Sequence, residues 1–143
     1  MSDDPFHLQR FVDAQEDAAI YARALAELRA GRKQGHWIWF VFPQIAGLGS
    51  SPMSQAYAIR SLDEARAYLD HPLLGPRLRE STEALLAAAP GASAEQILGG
   101  IDAIKARSSM TLFAAAAPEE RAFKEVLDRF YGGEADPETE RRI

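Results

Sequence analysis

The chain has 143 residues, a net charge of −5, 47% apolar and 26% charged residues, and no cysteine. That is enough for one domain with a real core. It excludes disulfides, thiolate catalysis and cysteine-ligated metals, and the acidic balance argues against bulk nucleic-acid binding, which needs a basic surface.

The N-terminal "MSDDPFHLQR" is acidic where a signal peptide would be basic and then apolar. No apolar run approaches the roughly 18–20 residues of a membrane span. A cytoplasmic protein with no membrane contact is the expectation. Asp4 followed by Pro5 predicts a helix start. Leu8, Phe11, Val12 and Gln15 continue it with helical spacing. Tyr21, Leu25 and Leu28 form a second stripe, with Gly31 as its C-cap. The segment "GHWIWFVFPQ", residues 35–44, carries two tryptophans and two phenylalanines and no Asp, Glu, Lys or Arg. Its apolar run suits a buried strand or a buried helix, and periodicity alone does not separate them.

Ser51 and Pro52 predict a further helix start. Ser61 and Glu64 read as a capping box ahead of Leu62, Ala65 and Leu69. Pro72 restarts the chain after His71, and Leu74, Leu78, Leu85 and Leu86 mark a longer helix. Ser93 caps a short helix that ends at Gly99-Gly100. Residues 101–117 read as helix, and Pro118 opens the next, whose stripe is Phe123, Val126, Leu127, Phe130 and Tyr131. Gly132-Gly133 stops it, and residues 134–143 form a charged tail with at most a last helical turn. The sum is one all-α domain of about six or seven helices, with an irregular aromatic-rich segment at 34–52.

Three stretches carry candidate chemistry. In the first, His36 is the best acid–base group by its near-neutral ordinary pKa, and Lys33 lies three residues before it. These two are the catalytic candidates. Trp37 and Trp39 share a face on a strand and diverge by about 200° on a helix. They are core, or a stacking wall for a ligand ring. Gln44 after Pro43 is an amide held at a turn. The second stretch, "GLGSSP" at 47–52, is a turn and helix cap whose backbone suits an anion. In the third, "DAIKARSSMTLF" at 102–113, Ser108 interrupts an apolar stripe of Ile101, Ile104 and Leu112, flanked by Lys105 and Ser109. Lys105, Ser108 and Ser109 are ligand-binding candidates that donate to an oxyanion. No Asp or Glu occurs from Arg29 through Leu62, where Arg29, Arg32, Lys33 and Arg60 make the chain locally positive. P-loop, dinucleotide-binding and nucleophile-elbow motifs are absent, and the histidines have no ligand spacing. No cofactor or metal is expected.

The stretches "DPFHLQRFVDAQ", "ALAELRAGRKQGHWIWFVFPQIAGLGSSPMSQAYAI", "SLDEARAYLDHPLLGPRL" and "KARSSMTLFAAA" together resemble the bacterial domain-of-unknown-function 1810 family, from about residue 4 to residue 133. The resemblance implies a small, stand-alone, mostly helical protein. Some members carry the label "calpastatin", which implies protease inhibition, but this chain has none of the disordered repeats behind that name. The family pattern runs through Arg10, Gln15, Lys33, His36, Trp37, Trp39, Gln44, Tyr57, His71, Lys105, Ser108 and Ser109. It adds Tyr57 to the ligand-binding candidates. It implies no particular reaction. The leading functional expectation is a pocket for an anionic or nucleotide-like small molecule. The alternative is a protein–protein interaction module that uses the aromatic segment. Neither fixes an oligomeric state.

Overall fold

The computed structural model describes residues 3–143; Met1 and Ser2, the start of the acidic N-terminal stretch, lie outside them. Every regular element among the described residues is helical. The first helix, α1 (Gln9–Glu16), begins later than the Asp4-Pro5 signal predicts. His7 takes a left-handed φ of 52°, so residues 5–8 form a turn. Asp4 still caps α1 from a distance: its carboxylate accepts from the amides of Leu8 at 2.7 Å and Gln9 at 3.0 Å.

The chain then breaks at Ala18 and Ala19, both left-handed, with φ of 50° and 56°. Nothing in the local sequence announces that break, since neither residue is Gly, Asn or Asp. Next come α2 (Ile20–Ala30), ended by Gly31 at φ 77°, and the single turn α3 (Ile38–Val41). The aromatic run is therefore a buried helical turn and not a strand. Ser51 and Pro52 open α4 (Pro52–Ala56), as the sequence predicts.

Ser61 caps α5 (Leu62–Asp70), its hydroxyl accepting from the Glu64 amide at 3.1 Å. The capping box is only half made: Glu64 instead accepts from the Arg60 amide at 3.1 Å and from Arg10 at 2.9 Å. His71 caps α6 (Leu74–Leu86); its Nδ1 accepts from the amides of Leu73 and Leu74 at 3.1 and 3.2 Å. The rest are α7 (Ala94–Leu98), α8 (Gly100–Ala116), α9 (Arg121–Phe130) and α10 (Pro137–Arg142). Helix α9 begins three residues after Pro118, which sits in the preceding turn. Ten helices stand among the described residues, more than the six or seven expected; six have eight residues or more and the others are short.

Helix α8 is the centre of the fold and packs against α5, α7, α9 and α10. A chain of rings threads the core: Phe11 meets Tyr68 edge-on at 5.1 Å, Tyr68 meets Phe113 at 5.5 Å, and Phe113 meets Phe123 at 5.9 Å. These contacts tie α1, α5, α8 and α9 together beyond what area burial supplies. Gln15 is buried among them and fully used. Its amide donates to the Phe40 carbonyl at 2.7 Å and to the Tyr68 hydroxyl, and its oxygen accepts from Arg77 at 3.2 Å.

Two expectations are corrected. Ile101 and Ile104 are not part of a buried stripe: they are 73% and 66% exposed. The buried residues of α8 include Ala103, Ala106, Met110, Leu112 and Phe113. Residues 134–143 are also more than a tail. Asp136 caps α10, Thr139 is fully buried, and the Asp136 amide donates to Thr111 on α8 at 2.9 Å.

Candidate functional site

Between α3 and α5 the backbone closes a loop. The Ala46 amide donates to the Ile59 carbonyl at 2.7 Å, and the Ile59 amide donates to the Gln44 carbonyl at 2.8 Å. Arg10 holds the far end of the loop. Its guanidinium donates to the carbonyls of Phe6, His7, Ala56 and Ala58 and to the buried Glu64 carboxylate. Gly47, at φ 97°, lets the loop approach α10; a Cβ there would lie 2.9 Å from Nε of Arg142. Gly49 passes so close to Ser54 that a Cβ would meet its Oγ at 2.6 Å.

One face of this loop and the outer side of α8 form a cleft of about 290 Å³. Gln44, Leu48, Gly49 and Ser54 form one wall, Ile101, Ile104, Lys105 and Ser108 the other, and Asp136 and Glu138 of the α10 start close the end. Ser108 donates to Asp136 Oδ2 at 2.7 Å, and Thr139 donates to the same oxygen at 2.6 Å. Burial pushes the Asp136 carboxyl up, but the Thr139 and Ser108 hydroxyls and the backbone amides outweigh it and hold the group below its ordinary value. Asp136 is thus an ionised structural link between α8 and α10.

Two lysine–tryptophan pairs flank one carboxylate. Lys33 Nζ lies 2.7 Å from Asp102 Oδ2 and 5.1 Å from the Trp37 ring centroid, and it also donates to the Gly35 carbonyl. Lys105 Nζ lies 3.8 Å from Asp102 Oδ1 and 5.1 Å from the Trp39 ring centroid. The lysine of the acid-free stretch therefore finds its counter-charge on α8. The two ends differ in exposure: the Lys33 side chain is 7% exposed and the Lys105 side chain 23%. Lys33 is committed, while Lys105 reaches the cleft.

The candidates separate accordingly. Gln44, Lys105 and Ser108 come together in the cleft. Trp37 is 1% exposed and its indole donates to Glu27 Oε1 at 2.9 Å, so it packs in the core and presents no face to a ligand. Trp39 is half-buried beneath Lys105, and its Nε1 is buried with no acceptor among the described residues. Ser109 is fully buried inside the core, its Oγ likewise without a partner, so it does not stand on the cleft wall. Tyr57 packs on Phe40 at 5.3 Å and Phe11 at 5.8 Å, on the inner side of the loop. His36 is exposed and lines none of the concavities described. Sequence reasoning missed Leu48, Ser54, Asp136 and Glu138, and it put Ile101 and Ile104 in the core. Glu27 was also missed. One of its oxygens accepts from the Gln34 and Gly35 amides and the Trp37 indole, fixing the turn ahead of α3.

Two larger concavities are present as well. One, of about 450 Å³, is walled by the Arg79–Glu120 fork, with bonds of 2.6 and 3.0 Å. The other, of about 460 Å³, surrounds the committed Arg10 and Glu64. Among the described residues no helix is long and apolar enough to cross a membrane. Nor is any group of three or more His, Asp or Glu residues among them placed to hold a metal ion.

No curated protein matches the chain. A crystal structure of the conserved hypothetical protein Rv1873 from Mycobacterium tuberculosis is similar to it: 54% of residues are identical, 95% of each chain is covered, and the TM-score is 0.91. The family described as "Protein of unknown function (DUF1810)" matches residues 5–143, a span that takes in α10 and its links to the cleft. The chain belongs to this family.

Proposed function

We propose that the cleft between the Gln44–Ser54 wall and α8 binds a small molecule with an anionic group and an apolar body, of the size of a nucleotide or sugar phosphate. One observation carries this reading. The three stretches singled out in the sequence lie far apart along the chain, yet Gln44, Gly49 and Lys105 with Ser108 supply one from each to a single concavity. A few polar groups converging on a part-apolar cleft is the ordinary composition of a ligand site. Ile101 and Ile104 offer apolar surface, Lys105 a cation steadied on Trp39, and Gln44 an amide with no partner among the described residues.

The reading is one of binding. His36 stands exposed on the solvent side, and Lys33 is held by Asp102, so neither is offered a proton-transfer role in the cleft. A thermal-shift screen against nucleotides, sugar phosphates and small organic acids tests it. A ligand at about 100 times its dissociation constant adds about 2.7 kcal/mol of stability. The gain should fall in Lys105→Ala and in Gln44→Ala. A hit that stabilises both variants as well as the wild type would remove the cleft from consideration.

The exposed Ile101 and Ile104 favour one second reading, a protein contact through the outer face of α8. It differs from the expected module, because Trp37, Phe40 and Phe42 of the aromatic segment are buried. Sedimentation distinguishes the two readings. Self-association abolished by Ile104→Asp favours the contact, and a monomer at all concentrations disfavours a self-contact.

A further inference from the structure

The groove has a second lobe. A concavity of about 200 Å³ lies beyond Gln44, Gly49 and Ser54, which line both it and the α8 cleft. Its other walls are Gly47, Gln55 and Arg60 with the adjoining backbone. The chemistry of the two lobes differs in one respect. The cleft carries Asp136 and Glu138, whereas no Asp or Glu lines the second lobe. Of the two larger concavities, the one of about 460 Å³ shares Gln55 and Arg60 with this lobe and contains Glu64, and the other contains Asp70, Glu119 and Glu120.

Arg60 is the cation of this lobe. Among the described residues no carboxylate or carbonyl pairs with its guanidinium. The nearest carboxylate on the following helix, Glu64, is occupied: one oxygen accepts from Arg10 and the other from the Arg60 backbone amide. Arg23, Arg32 and Arg121 also lack acceptors, but they line none of these concavities. Around Arg60 stand further donors. The Gln44 amide is unpartnered among the described residues. Ser54 Oγ accepts from Ser51 at 2.9 Å and keeps its own proton free. Gln55 spends one amide hydrogen on the Ser50 carbonyl at 3.0 Å and retains the other. A guanidinium fork with neutral donors and no carboxylate suits an oxyanion, because a cation there would find no counter-charge.

We propose that this lobe is the anion subsite of the groove and that Arg60 anchors the phosphate or carboxylate of a ligand whose apolar body lies along Ile104 in the cleft. The assignment rests on the reading of the cleft as a ligand site. It moves the anion from Lys105, which shares Asp102, to Arg60, which shares nothing.

The test is a titration of backbone amide NMR signals with inorganic phosphate, acetate and phenyl phosphate, on the wild type, Arg60→Gln and Lys105→Ala. Inorganic phosphate or acetate should saturably shift Gly47, Gly49, Gln55 and Arg60, and whichever binds more tightly gives the class of oxyanion. Arg60→Gln should weaken that binding about tenfold or more, and Lys105→Ala should change it less than about twofold. Arg60→Gln should melt as the wild type does, since the side chain holds nothing in the fold. Phenyl phosphate should also shift residues 101–105. No saturable shift at Gly47–Arg60 with any probe, or unchanged affinity in Arg60→Gln, overturns the subsite. Phenyl phosphate shifting only residues 101–105 would leave the cleft standing and remove the anion lobe. Shifts at Gly47–Arg60 alone would keep the lobe and remove the cleft.

Discussion

Residues 37–42 and residues 44–60 are neighbours in sequence and opposites in use. In the first, Trp37, Ile38, Phe40, Val41 and Phe42 are all buried, and the one polar side-chain atom of Trp37 is satisfied by Glu27. In the second, backbone bonds at two ends hold a loop whose side chains Gln44 and Arg60 face grooves without being used by the fold. The contrast separates two kinds of polar residue in the family pattern. Arg10, Gln15, Lys33 and His71 have structural partners that account for them. Gln44 and Lys105 are the ones left for a ligand.

Substitutions on the two sides should behave differently, and the largest effect belongs to the core. Trp37→Ala removes a large buried ring and the donor that faces Glu27, and should cost about 3–5 kcal/mol in denaturant unfolding. A loss under about 1 kcal/mol would mean the ring is not core. Arg10→Ala should cost about 3 kcal/mol, because it strips the partner from the 3%-exposed Glu64 side chain and frees the loop carbonyls. Its ligand affinity should fall as well, since Arg10 holds the loop that forms the groove.

The next effect is a pH dependence. Burial raises the Glu27 carboxyl, but the Gly35 and Gln34 amides, the Trp37 indole and the Lys33 charge together hold it below its ordinary 4.5. A depressed carboxylate stabilises the fold above its unfolded value, and that contribution is lost as pH falls through the folded value. Wild-type stability should therefore drop on acidification below about pH 4.5, and Glu27→Gln should show a shallower drop in the same window. The smallest stability effect lies in the cleft. Lys105→Ala should stay within about 0.5 kcal/mol, because its ion pair is long and near the surface. A ligand's thermal shift should nevertheless be smaller in that variant.

The same contrast explains what the sequence made legible. Gly31, Ser51-Pro52, Ser93 and Gly132-Gly133 end or start elements where local chemistry dictates, and all were readable. The left-handed Ala18 and Ala19 were not, since the packing of α1 against α2 imposes that break on residues without a local preference for it. The docking of α10 depends on Ser108 and Thr111 meeting Asp136, pairs 25 and more residues apart. In the site, polar residues in apolar stretches pointed to Gln44, Lys105 and Ser108. Helical spacing misled at Ile101 and Ile104, because a stripe shows that residues share a face and not that the face is covered. Leu48, Ser54 and Glu138 carry no local signal; the loop closure and the fold of α10 bring them in.

The central claim is that the groove beside α8 is where this protein takes its ligand. Ile δ1-methyl NMR spectra recorded with a thermal-shift hit test it most directly, since exposed and core isoleucines report in one spectrum. The account predicts that the Ile101 and Ile104 methyls, 73% and 66% exposed, move saturably while the Ile38 methyl, 1% exposed, stays in place. A saturating hit that leaves Ile101 and Ile104 unmoved would contradict it.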